Sequence, residues 1–326
     1  MATTLQQKQV SYKGNNATQI FFQPLFKDVV GLGAFKLMSN VRNKQKMGFA
    51  NKLEGIVQKK TGCGFTPGGK LGVYDRTISV NPAKINLEIC NDEFKNTLWE
   101  EKTKSGNLQY DLTGTEIMDI LLQQAREGAA ADILKLFWFG DTASDDILLN
   151  VADGIWQIHI PALVAQNLIP YTNTGSGSPL AAGDATDYLQ EVFDEAPLAL
   201  KGLPVSMKAF MVSGSVYDAY VKDLQAANLA IGVALTVNGV SDVRFNGIPV
   251  IPNYLWDVYD YVDLGLDDMH RILYTTPQNL VFATDMTSDL NSFMVFTDDL
   301  TEKTYVKANF DLGTNYVHES LFSVGY

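Results

Sequence analysis

The sequence predicts an α+β fold, and three observations lead to that prediction. A capping box followed by apolar residues at i, i+3 and i+4 spacing indicates one long helix over residues 114–140. Alternating apolar residues indicate strands at residues 77–89 and again from Tyr274 to the C-terminus. Between these regions helical and strand patterns alternate, which is typical of a domain built from layers of mixed type.

The first 76 residues show few signs of a packed core. Residues 1–35 are mostly polar, and we expect them to form an extended arm. Residues 36–76 are basic and contain seven glycines, a composition that favours loop and hairpin over helix. Because so long an excursion without a core of its own is uncommon in a compact domain, its partner surface is expected to lie elsewhere.

The long helix has the clearest local signals in the chain. Thr113 and Glu116 match a capping box, in which each side chain satisfies a free backbone N–H at the helix start. Apolar residues then recur on one face as far as Phe137, and Gly140 ends the pattern. About 25 residues at ~1.5 Å each predict a rod roughly 37 Å long.

The following block predicts a mixed domain. Residues 187–201 have a helical pattern, and residues 208–214 form a short apolar run typical of a buried strand. Ser215 is predicted to cap a helix over residues 216–227. Asn246-Gly247 is the strongest short signal for a two-residue hairpin.

The sequence contains no motif that carries catalytic chemistry. It lacks a phosphate-binding loop, a zinc-protease motif and a nucleophile elbow. Its three histidines, His159, His270 and His318, lie far apart. Three pairs of adjacent aspartates occur where turns or helix starts favour acids, and none has EF-hand spacing. We therefore expect no enzymatic activity, no cofactor and no metal site.

Cysteine content and hydropathy favour a soluble protein made in the cytosol. Cys63 and Cys90 lie far apart and the start of the chain has no apolar export signal, so two free thiols are expected rather than a disulfide. The apolar runs fall short of the ~20 residues that a membrane span requires.

The net charge of −12 conceals a strong asymmetry. Residues 1–80 hold twelve basic and three acidic side chains, a balance of +9, whereas the remaining residues have a balance of −21. A basic arm on an acidic body can bind nucleic acid, can bind the acidic body of another copy, or can simply be a solvated face. The candidate contact residues are Lys36, Arg42, Lys44, Lys46, Lys52, Lys59 and Lys60.

The order of these features resembles the major capsid proteins of tailed bacteriophages with the HK97 fold. The most specific part of the likeness is "NGIPVIPN" at 246–253, followed by "NLVFATD" at 279–285 and "KANFDLG" at 307–313. The resemblance implies an N-terminal arm at 1–35, an extended E-loop hairpin at 36–76, a P-domain at 77–149 with its spine helix at 114–140, an α/β A-domain at 150–268, and C-terminal strands at 269–326 that return to the P-domain sheet.

The resemblance also implies a function. The chain would be a structural subunit of an icosahedral phage head that encloses double-stranded DNA without sequence-specific binding. It would assemble with itself as hexamers and pentamers, with the basic E-loop residues contacting a neighbour. The 35 polar residues at the start leave no room for a fused scaffolding domain, so a separate scaffolding protein is expected, besides a portal and optional decoration proteins. The location would be the virion, after synthesis in the host cytoplasm.

Two alternatives stay open at the level of sequence. Encapsulin-like compartments share this fold, so the chain could form a protein shell around a protein cargo. The basic segment at 36–76 could instead bind nucleic acid, although it offers few aromatic side chains for stacking on bases.

Overall fold

The computed structural model describes residues 8–12, 35–50, 56–57, 59, 72–90, 116–175, 177–227, 243–260, 265, 269–285, 293–298 and 303–326. Helices and strands are mixed throughout these residues, so the predicted α+β class is confirmed. Cys63, Thr113, Lys52 and Lys60 lie outside them.

The strands and helices are labelled in chain order. The strands are β1 (Lys8–Tyr12), β2 (Lys36–Met38), β3 (Lys44–Ala50), β4 (Val73–Ser79), β5 (Asn81–Cys90), β6 (Tyr171–Thr172), β7 (Ala209–Ser213), β8 (Arg244–Phe245), β9 (Ile248–Asn253), β10 (Ile272–Thr275), β11 (Leu280–Thr284), β12 (Phe293–Asp298), β13 (Lys303–Tyr316) and β14 (Phe322–Gly325). The helices are α1 (Glu116–Phe139), α2 (Ile160–Ala165), α3 (Asp184–Glu195), α4 (Leu198–Lys201), α5 (Gly214–Ala226) and α6 (Tyr254–Val258).

The chain divides into two compact units that each combine distant stretches of sequence. The first unit comprises residues 1–42, 80–165 and 281–314. The second comprises residues 43–79, 166–280 and 315–326.

The first unit is built on a sheet with the order β1-β12-β13-β11-β2, in which β5 also pairs with β13. The long strand β13 is antiparallel to both β12 and β5, from Lys303 opposite Cys90 to Leu312 opposite Asn81. Alternate residues of β13, including Val306 and Phe310, are buried, whereas Lys307 is exposed. This period of two confirms the predicted strand and shows that one face of the sheet is covered.

Helix α1 occupies Glu116–Phe139, close to the predicted range of 114–140. Its last turn is the most deeply buried part, since Phe137, Trp138 and Phe139 are each 1% exposed. The ring of Phe137 lies 6.0 Å from that of Phe282 on β11, measured between centroids. This aromatic cluster fixes the C-terminal end of the helix against the first sheet.

The second unit is built on a sheet with the order β6-β14-β10-β7-β9-β8. Strand β7 is buried at all five positions and runs parallel to β9, with α5 as the connecting helix. The core between sheet and helices includes Leu189, Val216, Phe210 and Tyr274. The rings of Phe210 and Tyr274 stack with centroids 4.3 Å apart, so the centre of this sheet is closely packed.

The predicted Asn-Gly turn connects β8 to β9. Asn246 has φ 48° and Gly247 has φ 79°, and two consecutive residues with positive φ are the signature of a type I′ turn. The sequence prediction of a two-residue hairpin is therefore confirmed.

The predicted cap of α5 is wrong. The helix begins at Gly214, so Ser215 is already inside it, and the N-cap residue Ser213 makes no side-chain cap. The carboxylate of Asp257 instead accepts from the backbone N–H groups of Gly214, at 2.6 Å, and Ser215, at 3.2 Å. A residue of α6 thus caps α5 in place of the predicted serine, because a carboxylate near a helix N-terminus satisfies the same free N–H donors.

The C-terminal region contributes to both sheets. Strands β11, β12 and β13 lie in the first sheet, whereas β10 and β14 pair with each other in the second, with β10 also paired to β7. The five-part division of the chain expected from the resemblance stays a prediction.

Candidate intersubunit surface

Strands β3 and β4 form a two-stranded antiparallel hairpin within the basic segment. Their register runs from Lys44 opposite Ser79 to Ala50 opposite Val73. Because successive side chains of a strand point to opposite faces, the hairpin has two distinct surfaces. The sequence had predicted loop and hairpin in this segment from its glycines, and the hairpin is present.

The two surfaces of the hairpin differ in burial. Met47 and Ile78 lie on the inner face and are 6% and 0% exposed. Lys44 and Lys46 lie on the outer face, and both are exposed. The hairpin therefore packs through its inner face, and its lysines lie exposed on the outer face.

Lys46 already has an acidic partner on its own hairpin. Its ammonium group lies 2.6 Å from Oδ2 of Asp75, on the opposite strand, and both side chains are mostly exposed. The hydrogen bond and the attraction raise the pKa of Lys46 and lower the pKa of Asp75. Within the described part of the chain Lys44 makes no such ion pair, so Lys44 contributes the uncompensated charge of this face.

The other predicted contact residues are dispersed. Lys59 is exposed between the two strands in sequence, whereas Lys52 and Lys60 lie outside the described residues. Lys36 lies in β2, and the guanidinium of Arg42 lies 3.9 Å from Asp285. Both belong to the first unit, whereas Lys44 and Lys46 belong to the second.

An open groove lies on the first sheet over β5, β12 and β13, with a volume of about 390 Å³. Phe296 and Tyr305 stack across it with centroids 5.3 Å apart. Lys307 and Glu88 also line the groove, and the hydrogen bond from Lys303 to Glu88 raises the pKa of Lys303. An open groove with charged walls differs from the enclosed, mostly apolar cavities that bind small ligands.

One serine–histidine contact superficially resembles a catalytic pair. Nδ1 of His270 lies 3.0 Å from Oγ of Ser215, and Nε2 lies 3.0 Å from the carbonyl of Ser178. Because a carbonyl only accepts, Nε2 carries the proton and Nδ1 accepts from the serine hydroxyl. His270 is 2% exposed, so this is a closed network that joins α5 to the segment before β10 and to Ser178.

The described residues contain no group of three or more His, Cys, Asp or Glu side chains that could hold a metal ion. Among the helices placed by the structure, none combines the length and hydropathy of a membrane span.

No protein-family model matches the sequence, and no curated protein matches it either. The structure, in contrast, resembles solved phage structures over almost its whole length. A chain of the satellite phage P4 procapsid that includes the size determination (Sid) protein has a TM-score of 0.56 at 9% identity, over 93% of this chain and 98% of that one.

Two further structures give the same result. The capsid of Myoviridae phage XM1 has a TM-score of 0.54 at 13% identity, over 91% of this chain and 92% of that one. The capsid of a native GTA particle has a TM-score of 0.55 at 11% identity, over 90% and 88%. The fold is that of a phage capsid protein. The capsid fold expected from the sequence is thus confirmed at the level of fold, which by itself does not specify function.

Sequence reasoning did not select the residues that hold the hairpin of this capsid fold. Arg76 and His318 were not among the candidate contacts, yet both lie at the inner face of the hairpin. No local signal could have found them, because their partners are distant in sequence. Arg76 pairs with Glu319, and His318 contacts Phe49 and Tyr74, in each case across more than 240 positions.

Proposed function

We propose that this chain is the major capsid protein of a phage head, a structural subunit that assembles with copies of itself. The observation that carries the proposal is the match to a phage procapsid chain over 93% of this chain and 98% of that one. A match over nearly all of both chains cannot come from a single short motif that the two have in common.

The subunits would form hexamers and pentamers through heterologous contacts that close into rings. The head would enclose double-stranded DNA without sequence-specific contacts. The net charge of −12 supports this, because a wall that bound phosphates strongly would hinder packaging and release. A separate scaffolding protein, a portal and optional decoration proteins would be partners, and the mature location would be the virion after synthesis in the host cytoplasm.

The outer face of the hairpin would contact the acidic body of a neighbouring subunit. Lys44 and Lys59 are exposed and basic, and the body of the chain carries the negative charge. Each exposed ion pair contributes only ~0–1 kcal/mol, so the attraction would depend on several pairs repeated at every junction of the ring.

Charge reversal of the hairpin tests this docking. We expect the double variant Lys44→Glu and Lys59→Glu to fold normally by circular dichroism, because both side chains are exposed, and to fail to form shells in electron micrographs. The matched control is Lys84→Glu, an exposed lysine in β5 that is not among the candidate contact residues, which should assemble. Normal shells from the double variant would refute the docking.

The same experiment separates the alternatives. A nucleic-acid-binding protein would lose DNA binding in the double variant and keep its assembly state. The contact of Phe49 with His318 counts against that function, since this ring is then held at the inner face instead of stacking on bases. An encapsulin-like shell would purify with a protein cargo and no DNA, whereas a phage head purified from infected cells would contain DNA.

A further inference from the structure

The hairpin contacts one short stretch of the chain's own C-terminal region, residues 315–319, which we call the anchor segment. A two-stranded hairpin is at best marginally stable by itself, so its direction depends on what its inner face contacts. The anchor segment provides three separate contacts with that face.

The first contact is aromatic. The ring of His318 lies 4.6 Å from that of Phe49 on β3 and 5.1 Å from that of Tyr74 on β4, measured between centroids. Phe49 and Tyr74 are directly opposite each other in the register, so one imidazole contacts both strands of the hairpin. Tyr74 meets the imidazole edge-on, at 81° between planes, a favourable arrangement for aromatic pairs.

The second contact is made by Arg76, which points inward from β4. Its guanidinium carbon lies 3.7 Å from the centre of the Tyr316 ring, and its Nη2 lies 3.1 Å from Oε2 of Glu319. The two members of this ion pair are about two-thirds buried, at 32% and 30% side-chain exposure. Stacking and ion pairing together hold the planar guanidinium in one orientation.

The third contact reaches the hairpin backbone. The side-chain amide of Asn315 donates to the carbonyl of Thr77 at 2.9 Å. The three contacts therefore come from four residues of the anchor segment and meet both strands.

The anchor segment is itself firmly held. The side-chain oxygen of Asn279, a residue only 1% exposed, accepts from the backbone N–H of His318 at 2.8 Å. The imidazole is oriented too, because its Nδ1 accepts from the backbone N–H of Ser320 at 3.1 Å. The anchor segment that contacts the hairpin is thus itself fixed within the second unit.

We propose that Arg76 and His318 are positioning residues that fix the direction of the hairpin in the unassembled subunit, before any neighbour binds. The hairpin would then be presented as a preformed element, and it could change direction only by releasing the anchor segment. The importance of this for ring formation rests on the proposed shell function, but the anchoring itself does not.

Hydrogen exchange measured by mass spectrometry on the unassembled subunit tests the proposal. We expect peptides covering β3 and β4 to exchange roughly tenfold faster in Arg76→Ala and in His318→Ala, because a detached hairpin opens more often. Strand β7, at the centre of the second sheet, serves as the internal reference and should be unchanged. The matched control is Lys46→Ala, which removes the ion pair on the outer face of the same hairpin and should leave exchange unaltered.

Conservative variants keep the test decisive if an alanine variant unfolds. His318→Phe keeps the aromatic contact and should exchange more slowly than His318→Ala, whereas Arg76→Lys loses the planar stacking and should loosen the hairpin with β7 still protected. The proposal is overturned if the hairpin of the unchanged protein already exchanges freely. It is equally overturned if the inner-face variants leave exchange unaltered, or if Lys46→Ala accelerates it as much as they do. Shell formation plays no part in these readings, so failure of the proposed function would be seen separately.

Discussion

Replacing Gly154 by alanine should strongly destabilise the first unit. Gly154 is buried directly against the end of α1, and its backbone N–H donates to the carbonyl of Gly140 at 2.7 Å. A Cβ atom at residue 154 would lie 2.4 Å from the nitrogen of Gly140 and 2.6 Å from the carbonyl oxygen of Trp138. Its φ of −82° is one that alanine adopts freely, so backbone strain does not contribute to the cost.

The magnitude follows from what must move. The Cβ contact must widen from 2.4 Å to an ordinary contact of at least 3.4 Å, and the atoms in the way are backbone atoms. Overpacking of this kind costs ~1–3 kcal/mol. Separation by that amount also breaks the buried hydrogen bond to Gly140, which costs a further ~1–3 kcal/mol. We expect a loss of about 3–5 kcal/mol in the free energy of unfolding.

The assay is urea unfolding of the unassembled subunit followed by tryptophan fluorescence. Trp138 and Trp156 are 1% and 2% exposed beside the substituted residue, so they report on this contact. The matched control is Gly128→Ala in the exposed middle of α1, where a Cβ meets nothing within 4 Å. Removing a mid-helix glycine should stabilise by ~0.5–1 kcal/mol. Equal stability of the two variants would refute the reasoning.

Two further substitutions probe the second unit. Tyr274→Phe should raise the stability by ~1 kcal/mol at neutral pH, since the hydroxyl is buried without a partner among the described residues. Burial raises the pKa of Tyr274 from 10 to about 12, so the stability of the fold decreases as the pH rises from 10 towards 12, where the unfolded chain ionises more readily than the folded one. Urea unfolding at pH 9 and pH 11.5 should therefore show a smaller decrease in the free energy of unfolding for the variant than for the unchanged protein. Asp257→Ala should lower the stability by ~2 kcal/mol because α5 loses both hydrogen bonds at its N-terminus, and Asp257→Asn, which keeps one acceptor, should lose less. Equal losses in the Ala and Asn variants would show that the carboxylate does not cap the helix.

Several elements could be predicted because their signals are local. The range of α1 followed from apolar periodicity, and the β8–β9 turn followed from Asn246-Gly247. In each case the residues that determine the conformation lie within a few positions of one another, and the backbone responds to them directly.

The candidate surface was only partly predictable. The basic glycine-rich segment indicated a hairpin, but the sequence could not separate Lys44 on the outer face from Lys36 in β2. It also gave no sign that Asp75 balances Lys46, since that pairing depends on which residues of β3 and β4 lie next to each other. A shift of one residue in the register would have turned the lysines to the inner face.

The sequence by itself determined the α+β class, the long helix, the mixed domain and the charge asymmetry, because periodicity and composition specify which faces are buried and how charge is distributed. Tertiary structure alone decided which distant segments meet. Asp257 caps α5, His318 packs on Phe49 and Tyr74, and β10 and β14 join the second sheet while β13 joins the first. The physical reason is that an apolar strand or an unsatisfied helix end requires a partner but does not specify one. The choice among possible partners is made by the shape and hydrogen bonding of the whole packed unit.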